Sequence, residues 1–162
     1  KRVAMLWEKS AGTAQRDAAR AAGRGLGFTL REIEFDSVEG MFAGLDAAAE
    51  SGTQALVMLT SPTISTHSRR LAEWATARRM PGISPFRAFA DGGGLMSYGP
   101  DLPAFRRFSA THVDRILKGA RPGDLPILQP ARFQLVVNQR AAQALGIVFP
   151  PALLSWVDEV LT

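Results

Sequence analysis

Cysteine is absent from this chain of 162 residues. Its absence excludes disulfide bonds, thiolate metal sites and cysteine nucleophiles, and it fits any cellular compartment. Long apolar runs are missing too: none approaches the ~20 residues that a membrane-spanning helix needs, so we predict no membrane insertion. The two histidines, His67 and His112, fall on different predicted helices, and neither has a second metal ligand three or four residues further on. We therefore predict neither a metal site nor a cofactor.

Motifs of common enzyme classes are missing as well. The sequence has no Gly-x-Ser-x-Gly elbow and no phosphate-binding loop that ends in Lys-Ser or Lys-Thr. Gly23, Gly25 and Gly27 come nearest to a dinucleotide-binding fingerprint, but they stand between a predicted helix and the next strand, and the phosphate site needs the opposite order. We interpret them as a helix C-cap and a tight turn. These absences predict that the chain is not an enzyme.

The chain is basic, with a formal net charge of +4 and an isoelectric point of about 10.3. Its arginines are dispersed: Arg16, Arg20 and Arg24 follow one face of a predicted helix, and others stand in pairs on further helices. A nucleic-acid groove would combine a continuous basic stripe with interleaved exposed aromatic residues. We therefore predict solvated helix faces and no nucleic-acid partner.

Apolar runs alternate with helical periodicity along residues 1–90. Strands are predicted over 3–7, 28–35, 55–59 and 82–84, with helices over 11–23, 36–52 and 61–79 between them. This alternation with short connections predicts an α/β fold of Rossmann-like type, with a doubly wound parallel sheet and helices on both faces. The first and third strands are apolar throughout, which favours central positions, whereas the second alternates in part and suits an edge.

After residue 91 the pattern changes. The sequence predicts a short strand over 95–98, a helix over 101–118, a strand over 133–138, and helices over 139–145 and 151–161. The predicted helix 101–118 has large apolar side chains at helical spacing. They are Phe105, Phe108, Val113, Ile116 and Leu117.

Small polar and aromatic residues follow the predicted strands, at the edge where open α/β sheets bind ligands. The candidate ligand-binding residues are Trp7, Glu8, Ser61, Thr63, Pro85, Phe86, Tyr98 and Asp101. The aromatic members would stack on an apolar or aromatic ligand. Backbone amides at the helix starts near Ser61 and Phe86 would hold a ligand carboxylate. Ordinary helix capping by Ser, Thr and Asp explains several of these residues equally well.

Ordered sequence blocks connect the whole chain to a known family. The most specific are LMSYG at 95–99, ILKGA at 116–120 and LPILQP at 125–130, with further blocks at 2–7, 81–89 and 133–138. On these blocks the chain resembles the periplasmic solute-binding proteins of ABC transporters, in the branch of tryptophan- and tyrosine-type binding proteins. Relatives often have Asn-Pro where this chain has Glu8 and Lys9, and Pro-Asp-Pro where it has Thr60 to Pro62.

The resemblance implies one lobe of a type I periplasmic-binding-protein fold, in which a ligand lies between two lobes. It covers only the second half of such a protein: residues 1–90 form the main body of the second lobe, 91–129 cross to the first lobe, and 130–162 return. It implies a small-molecule ligand, an ABC permease partner and a periplasmic or extracytoplasmic location. The alternative is the effector-binding domain of a regulator or a small α/β enzyme of related fold. With the first lobe missing, we expect a homodimer through residues 95–125, because the predicted strand 95–98 would present unpaired edge groups.

Overall fold

The computed structural model describes residues 1–127, 129–130 and 132–162, and in this part of the chain it forms one mixed α/β unit. Leu128 and Ala131, which fall within the predicted segments 91–129 and 130–162, lie outside the described residues. The strands are β1 (Arg2–Glu8), β2 (Thr29–Phe35), β3 (Ala55–Met58), β4 (Gly82–Ser84), β5 (Met96–Pro100), β6 (Phe133–Asn138) and β7 (Glu159–Leu161). The α-helices are α1 (Ala14–Gly25), α2 (Val38–Glu50), α3 (Pro62–Thr66), α4 (Ser68–Ala77), α5 (Arg87–Asp91), α6 (Leu102–Leu117), α7 (Gln139–Leu145) and α8 (Pro151–Leu154).

All seven strands belong to one sheet, in the order β2-β1-β3-β4-β5-β6-β7. Neighbours are parallel except β5 and β6, which pair antiparallel. The predicted four-stranded parallel sheet of residues 1–90 is confirmed, with β1 and β3 inside it and β2 at the edge. The doubly wound Rossmann-like α/β fold is confirmed with it.

Burial of apolar strand residues explains this arrangement. Leu6 and Leu56, on neighbouring central strands, are 0% and 2% exposed and pack against α2 and α4 through Met41 and Leu71. This main core lies on one face of β1–β4, and its burial of apolar surface is the chief driving force of folding. A smaller core joins β5, β6 and α7 and is built around Val137 and its neighbours.

Three predicted helices differ in the structure. Gly12 has a φ of +81°, so α1 starts at Ala14 rather than at residue 11. The helix predicted over 61–79 is divided into α3 and α4 at His67, where the side chains of His67 and Ser68 hydrogen-bond the carbonyl oxygens of Thr63 (3.0 Å) and Ile64 (2.8 Å). Such hydrogen bonds from side chains to the preceding turn compete with the backbone hydrogen bonds of a regular helix.

The predicted helix over 151–161 is wrong beyond Leu154. Here the backbone N–H of Asp158 donates to the carbonyl of Leu135 (2.9 Å), and the Asp158 carboxylate accepts from the N–H of Leu135 (2.8 Å). These bonds hold Asp158 beside β6, and the residues that follow it form β7, which pairs with β6. A further difference concerns β5, which we expected to leave an open edge. It pairs with β4 on one side and β6 on the other, so its backbone groups are engaged in the sheet.

Candidate functional site

The carboxyl ends of β1, β3, β4 and β5 lie along one edge of the sheet, which we call the carboxyl edge. Ligands of open parallel sheets bind outside this edge, where loops and helix starts converge. The structure brings most of the sequence-predicted site residues to this edge, but it divides them between two places. One is a polar corner between β1 and α3, and the other is an open groove beside β5.

The polar corner consists of Glu8, Ser61 and Thr63, which we call the Glu8 corner. Glu8 is the last residue of β1, and its Oε1 accepts a hydrogen bond from the Thr63 hydroxyl at 2.9 Å. Ser61 is buried, and its hydroxyl caps α3 by accepting from the N–H of Ile64 at 2.9 Å. These bonds tie the start of α3 to the end of β1.

The Glu8 carboxyl is held in its ionised form. Burial is the largest single influence on its pKa and raises it, but the hydroxyls of Thr63, Ser61 and Ser10 and the backbone of Thr63 together outweigh it, so that the pKa lies below its ordinary value of 4.5. The Glu8 corner therefore carries a negative charge at neutral pH.

Two of the amides at the predicted carboxylate-binding helix starts are bonded within the chain itself. The Ser61 hydroxyl accepts a hydrogen bond from the N–H of Ile64, and Pro62 has no N–H to donate. The N–H of Phe86 donates to the Ser84 hydroxyl at 3.2 Å. Both helices at these points, α3 and α5, have only five residues. Binding of a ligand carboxylate at these helix starts stays a prediction, and it would depend on N–H groups other than those of Ile64 and Phe86.

The open groove beside β5, which we call the edge groove, has a volume of about 320 Å³. Tyr98 and Phe133 form its aromatic side, with ring centroids 5.8 Å apart and planes inclined by 32°. Both rings are about half exposed, at 54% and 50%. Pro85 lines the same groove. Exposed aromatic faces of this kind stack on flat apolar groups.

Gln15 and Thr60 form the polar side of the edge groove. The Gln15 amide nitrogen donates to the Thr60 hydroxyl at 3.2 Å, and its oxygen accepts from the N–H of Thr60 at 3.0 Å. These reciprocal bonds connect the first turn of α1 to the segment after β3. Sequence reasoning missed Gln15 and Phe133, because the first requires the packing of α1 and the second requires the antiparallel pairing of β5 with β6.

Three predicted site residues lie outside the Glu8 corner and the edge groove. Trp7 is 4% exposed and is covered by Arg16, whose guanidinium carbon lies 4.8 Å from the centre of the indole ring. Phe86 packs against the main core. Asp101 caps α6, its carboxylate accepting from the N–H of Ala104 at 2.9 Å. The capping interpretation therefore accounts for Asp101, and a ligand role for these residues stays a prediction.

A larger apolar cavity of about 560 Å³ lies at the opposite, amino ends of the strands. Val3, Leu26 and Ala55 contribute to its walls. Its lining is mainly apolar, with few hydrogen-bonding groups. None of the residues of the Glu8 corner or the edge groove contributes to it. Size alone does not make it the better site, because specific binding needs convergent polar groups as well as apolar surface.

Comparison with known proteins decides the family. The sequence profile of the family described as ABC transporter substrate binding protein matches residues 4–161. The chain belongs to this family. No curated protein matches the sequence.

Three solved structures share the fold of the chain. The chain is similar to a conserved domain protein from Vibrio cholerae, with 21% identity and a TM-score of 0.87, covering 99% of this chain and 54% of that one. It is similar to the ABC domain from Streptococcus pneumonia in complex with L-Trp, with 22% identity and a TM-score of 0.88, covering 99% and 55%. A ligand-free, open substrate binding protein with adhesive properties from Clostridium difficile has 19% identity and a TM-score of 0.68, covering 100% and 55%. The chain thus spans about half the length of these proteins.

Two further structural observations concern residues 1–127, 129–130 and 132–162. Within these ranges, no helix combines the length and the apolar character needed to cross a membrane. The same ranges contain no cluster of three or more His, Asp or Glu side chains that could hold a metal ion.

Proposed function

We propose that this chain is the second lobe of the solute-binding component of an ABC importer, and that it captures a small molecule at its carboxyl edge. The edge groove is the observation that carries this proposal. It combines an aromatic pair, Tyr98 and Phe133, with the polar pair of Gln15 and Thr60, at the edge where parallel sheets bind ligands. Membership of a family of binding proteins, rather than of enzymes, supports it.

The proposed ligand is an amino acid with an aromatic or branched side chain, or a related carboxylate. Half-exposed aromatic rings favour an apolar or aromatic group in the edge groove. A structural neighbour of the chain has been solved with L-Trp, which supports the same ligand class here.

The remaining parts of the proposal concern the intact protein. Residues 1–90 are the main body of the second lobe, 91–129 are the segment that crosses to a first lobe, and 130–162 are the returning part. The ligand is held between the lobes, hinge closure follows, and the closed form delivers it to an ABC permease outside the cytoplasm. The coverage of about half of each solved relative supports this division.

Calorimetric titration with L-tryptophan and L-leucine tests the ligand site. Tyr98→Ala removes half of the aromatic pair and should weaken binding of L-tryptophan about tenfold or more, since burying one aromatic face is worth roughly 1.5–3 kcal/mol. Phe108→Ala is the matched control, because Phe108 is an equally exposed aromatic residue on α6, at 55%. Equal affinity of the Tyr98 variant and the wild type would remove the edge groove from the site.

A further inference from the structure

One face of the sheet is covered less completely than the other. In the strand order β2-β1-β3-β4-β5, the connection from β1 to β2 runs in one direction, and the connections that follow it, as far as β5, run in the opposite direction. Because crossovers between parallel strands are right-handed, opposite directions place their helices on opposite faces. The helices α2 to α5 accordingly pack in the main core, to which α1 contributes no residue among those that the structure describes. The face that carries α1, which we call the α1 face, therefore has less helical cover.

A row of apolar side chains shows where the α1 face is open. Five residues pair in register across neighbouring strands and share this face: Met5, Val57, Ile83, Met96 and Val137. Met5 and Val137, at the two ends of the row, are fully buried, whereas the three side chains between them are only partly buried. Parallel strands inside a sheet are normally covered on both faces. The α1 face therefore has an open strip along β3 and β4.

The apolar cavity of about 560 Å³ at the amino ends of the strands lies on this open strip. Val57 and Ile83 line it from the sheet, and Ala19 and Ala22 line it from α1. Leu26, which also lines it, is 68% exposed. Adjacent strands are ~4.8 Å apart, so the strip along two strands is ~10 Å wide, which is the width of one α-helix. An apolar strip of this width with few polar groups fits the apolar side of an amphipathic helix better than it fits a polar small molecule.

The segment that leads into β1 is the one placed to fill this strip. Lys1 and Arg2 both line the cavity, so chain that enters β1 passes directly beside it. The other end of the described chain is remote, because β7 lies at the far edge of the sheet and Thr162 does not line the cavity. Nearly half of each solved relative lies outside the part that this chain covers, which is ample length for one further helix.

We propose that, in the intact protein, an amphipathic helix directly before residue 1 packs on the α1 face and inserts its aliphatic side chains into this cavity. Its apolar residues recur at helical spacing, and its opposite side is polar. The helix completes the cover of β3 and β4, so the cavity is a packing surface of the second lobe rather than a second ligand site. This inference rests on the part of the proposed function in which the chain is the second lobe of a longer protein.

Because the chain has no cysteine, one introduced thiol reports whether this face is covered. Ala22→Cys is made in the 162-residue chain and in the intact protein, and alkylation of its thiol is followed by peptide mass spectrometry. Ala22 is exposed on α1 and lines the cavity. Its thiol should react about tenfold or more slowly in the intact protein, because local opening must then precede the reaction.

Ala21→Cys is the matched control, because Ala21 is the preceding residue of α1, is also exposed and does not line the cavity. Successive helical residues point in different directions, so its reaction rate should differ by less than about twofold between the two proteins. Equal rates of Ala22→Cys in the chain and the intact protein would overturn the proposal. Equal slowing of both variants would also overturn it, since the cover would then not follow the cavity.

A photoreactive side chain identifies the covering segment. The photoreactive amino acid p-benzoylphenylalanine in place of the exposed Leu26 should cross-link, in the intact protein, to a peptide within roughly 30 residues before residue 1, the reach of one long helix. Cross-links to any other segment, or between two copies, would overturn the proposal. Titration of the intact protein with L-tryptophan keeps the two proposals apart: protection of Ala22→Cys without binding of L-tryptophan would contradict the proposed ligand class and support the helix.

Discussion

The backbone of Gly99 lies directly against the carbonyl oxygen of Pro85, so closely that a β-carbon at position 99 would overlap it. Gly99 belongs to β5 and Pro85 follows β4, and both line the edge groove. The glycine within the LMSYG block therefore has a steric role, since it lets two strand ends approach and brings Pro85 and Tyr98 to the same groove.

Gly99→Ala should destabilise the chain by about 1–3 kcal/mol, because the new methyl group forces the two backbones apart. The displaced strand ends should also weaken binding in the edge groove. Urea denaturation measures the first effect, and titration with L-tryptophan measures the second. Gly25→Ala is the control, since no atom lies within 4 Å of a β-carbon there and its effect should stay within about 0.5 kcal/mol. Equal stability of Gly99→Ala and wild type would contradict the close contact.

The sequence was informative where burial alone decides the structure, and less so where pairing decides it. The apolar runs around Leu6 and Leu56 predicted central parallel strands correctly, because such runs are stable only when covered on both faces. The strand at Glu159–Leu161 was missed because it is set by the bonds of Asp158 to β6, at long range. In the site, residue types near strand ends predicted Glu8 and Tyr98 at the carboxyl edge. Thr63 was predicted there too, but its hydrogen bond to Glu8 and the position of Phe133 beside Tyr98 depend on packing that no local pattern encodes.

The stability of the chain should depend on pH through Glu8. Its pKa in the folded state lies below its ordinary value of 4.5, so the stabilisation is fully present above about pH 4.5 and is lost as pH falls through the folded pKa. Glu8→Gln should lower the free energy of unfolding by about 1–2 kcal/mol at pH 7. The difference between variant and wild type should shrink toward pH 3, as urea denaturation at several pH values will measure. A difference that is constant from pH 7 to pH 3 would contradict an ionised Glu8 in the corner.

Arg87 and Glu159 should fasten β7 to α5. The guanidinium donates two hydrogen bonds to the carboxylate, at 2.5 and 2.7 Å, and these lower the pKa of Glu159. Since both side chains are more than a third exposed, solvent screens the pair, and Glu159→Gln should cost no more than about 1 kcal/mol at pH 7. The loss should disappear as pH falls through the folded pKa of Glu159. Glu73→Gln, on an exposed residue of α4, is the control for removing one surface charge and should have no measurable effect. Hydrogen exchange of the β7 amides should be faster in Glu159→Gln and unchanged in Glu73→Gln.

The apolar residues of α6 predict self-association. The face formed by Phe105, Phe108, Val113, Ile116 and Leu117 buries none of its residues in the described structure, and Leu117 is 82% exposed. Because β5 is paired on both sides, the helix face rather than an open strand edge is the remaining basis for the expected homodimer through residues 95–125. Covering such a patch gains about 25 cal/mol per Å² of apolar surface.

Sedimentation velocity over a wide range of concentrations should therefore show a reversible dimer of the 162-residue chain. Leu117→Glu places a charge within the α6 face and should weaken the dimer about tenfold or more, because the interface would then have to desolvate a carboxylate. Val148→Glu is the matched control: Val148 is 89% exposed and lies outside α6, so the same charge there should leave the dimer unchanged. If the wild type sediments as a monomer at every concentration, the α6 face does not bind a second copy. Equal weakening by both substitutions would show that net charge, rather than this face, controls association.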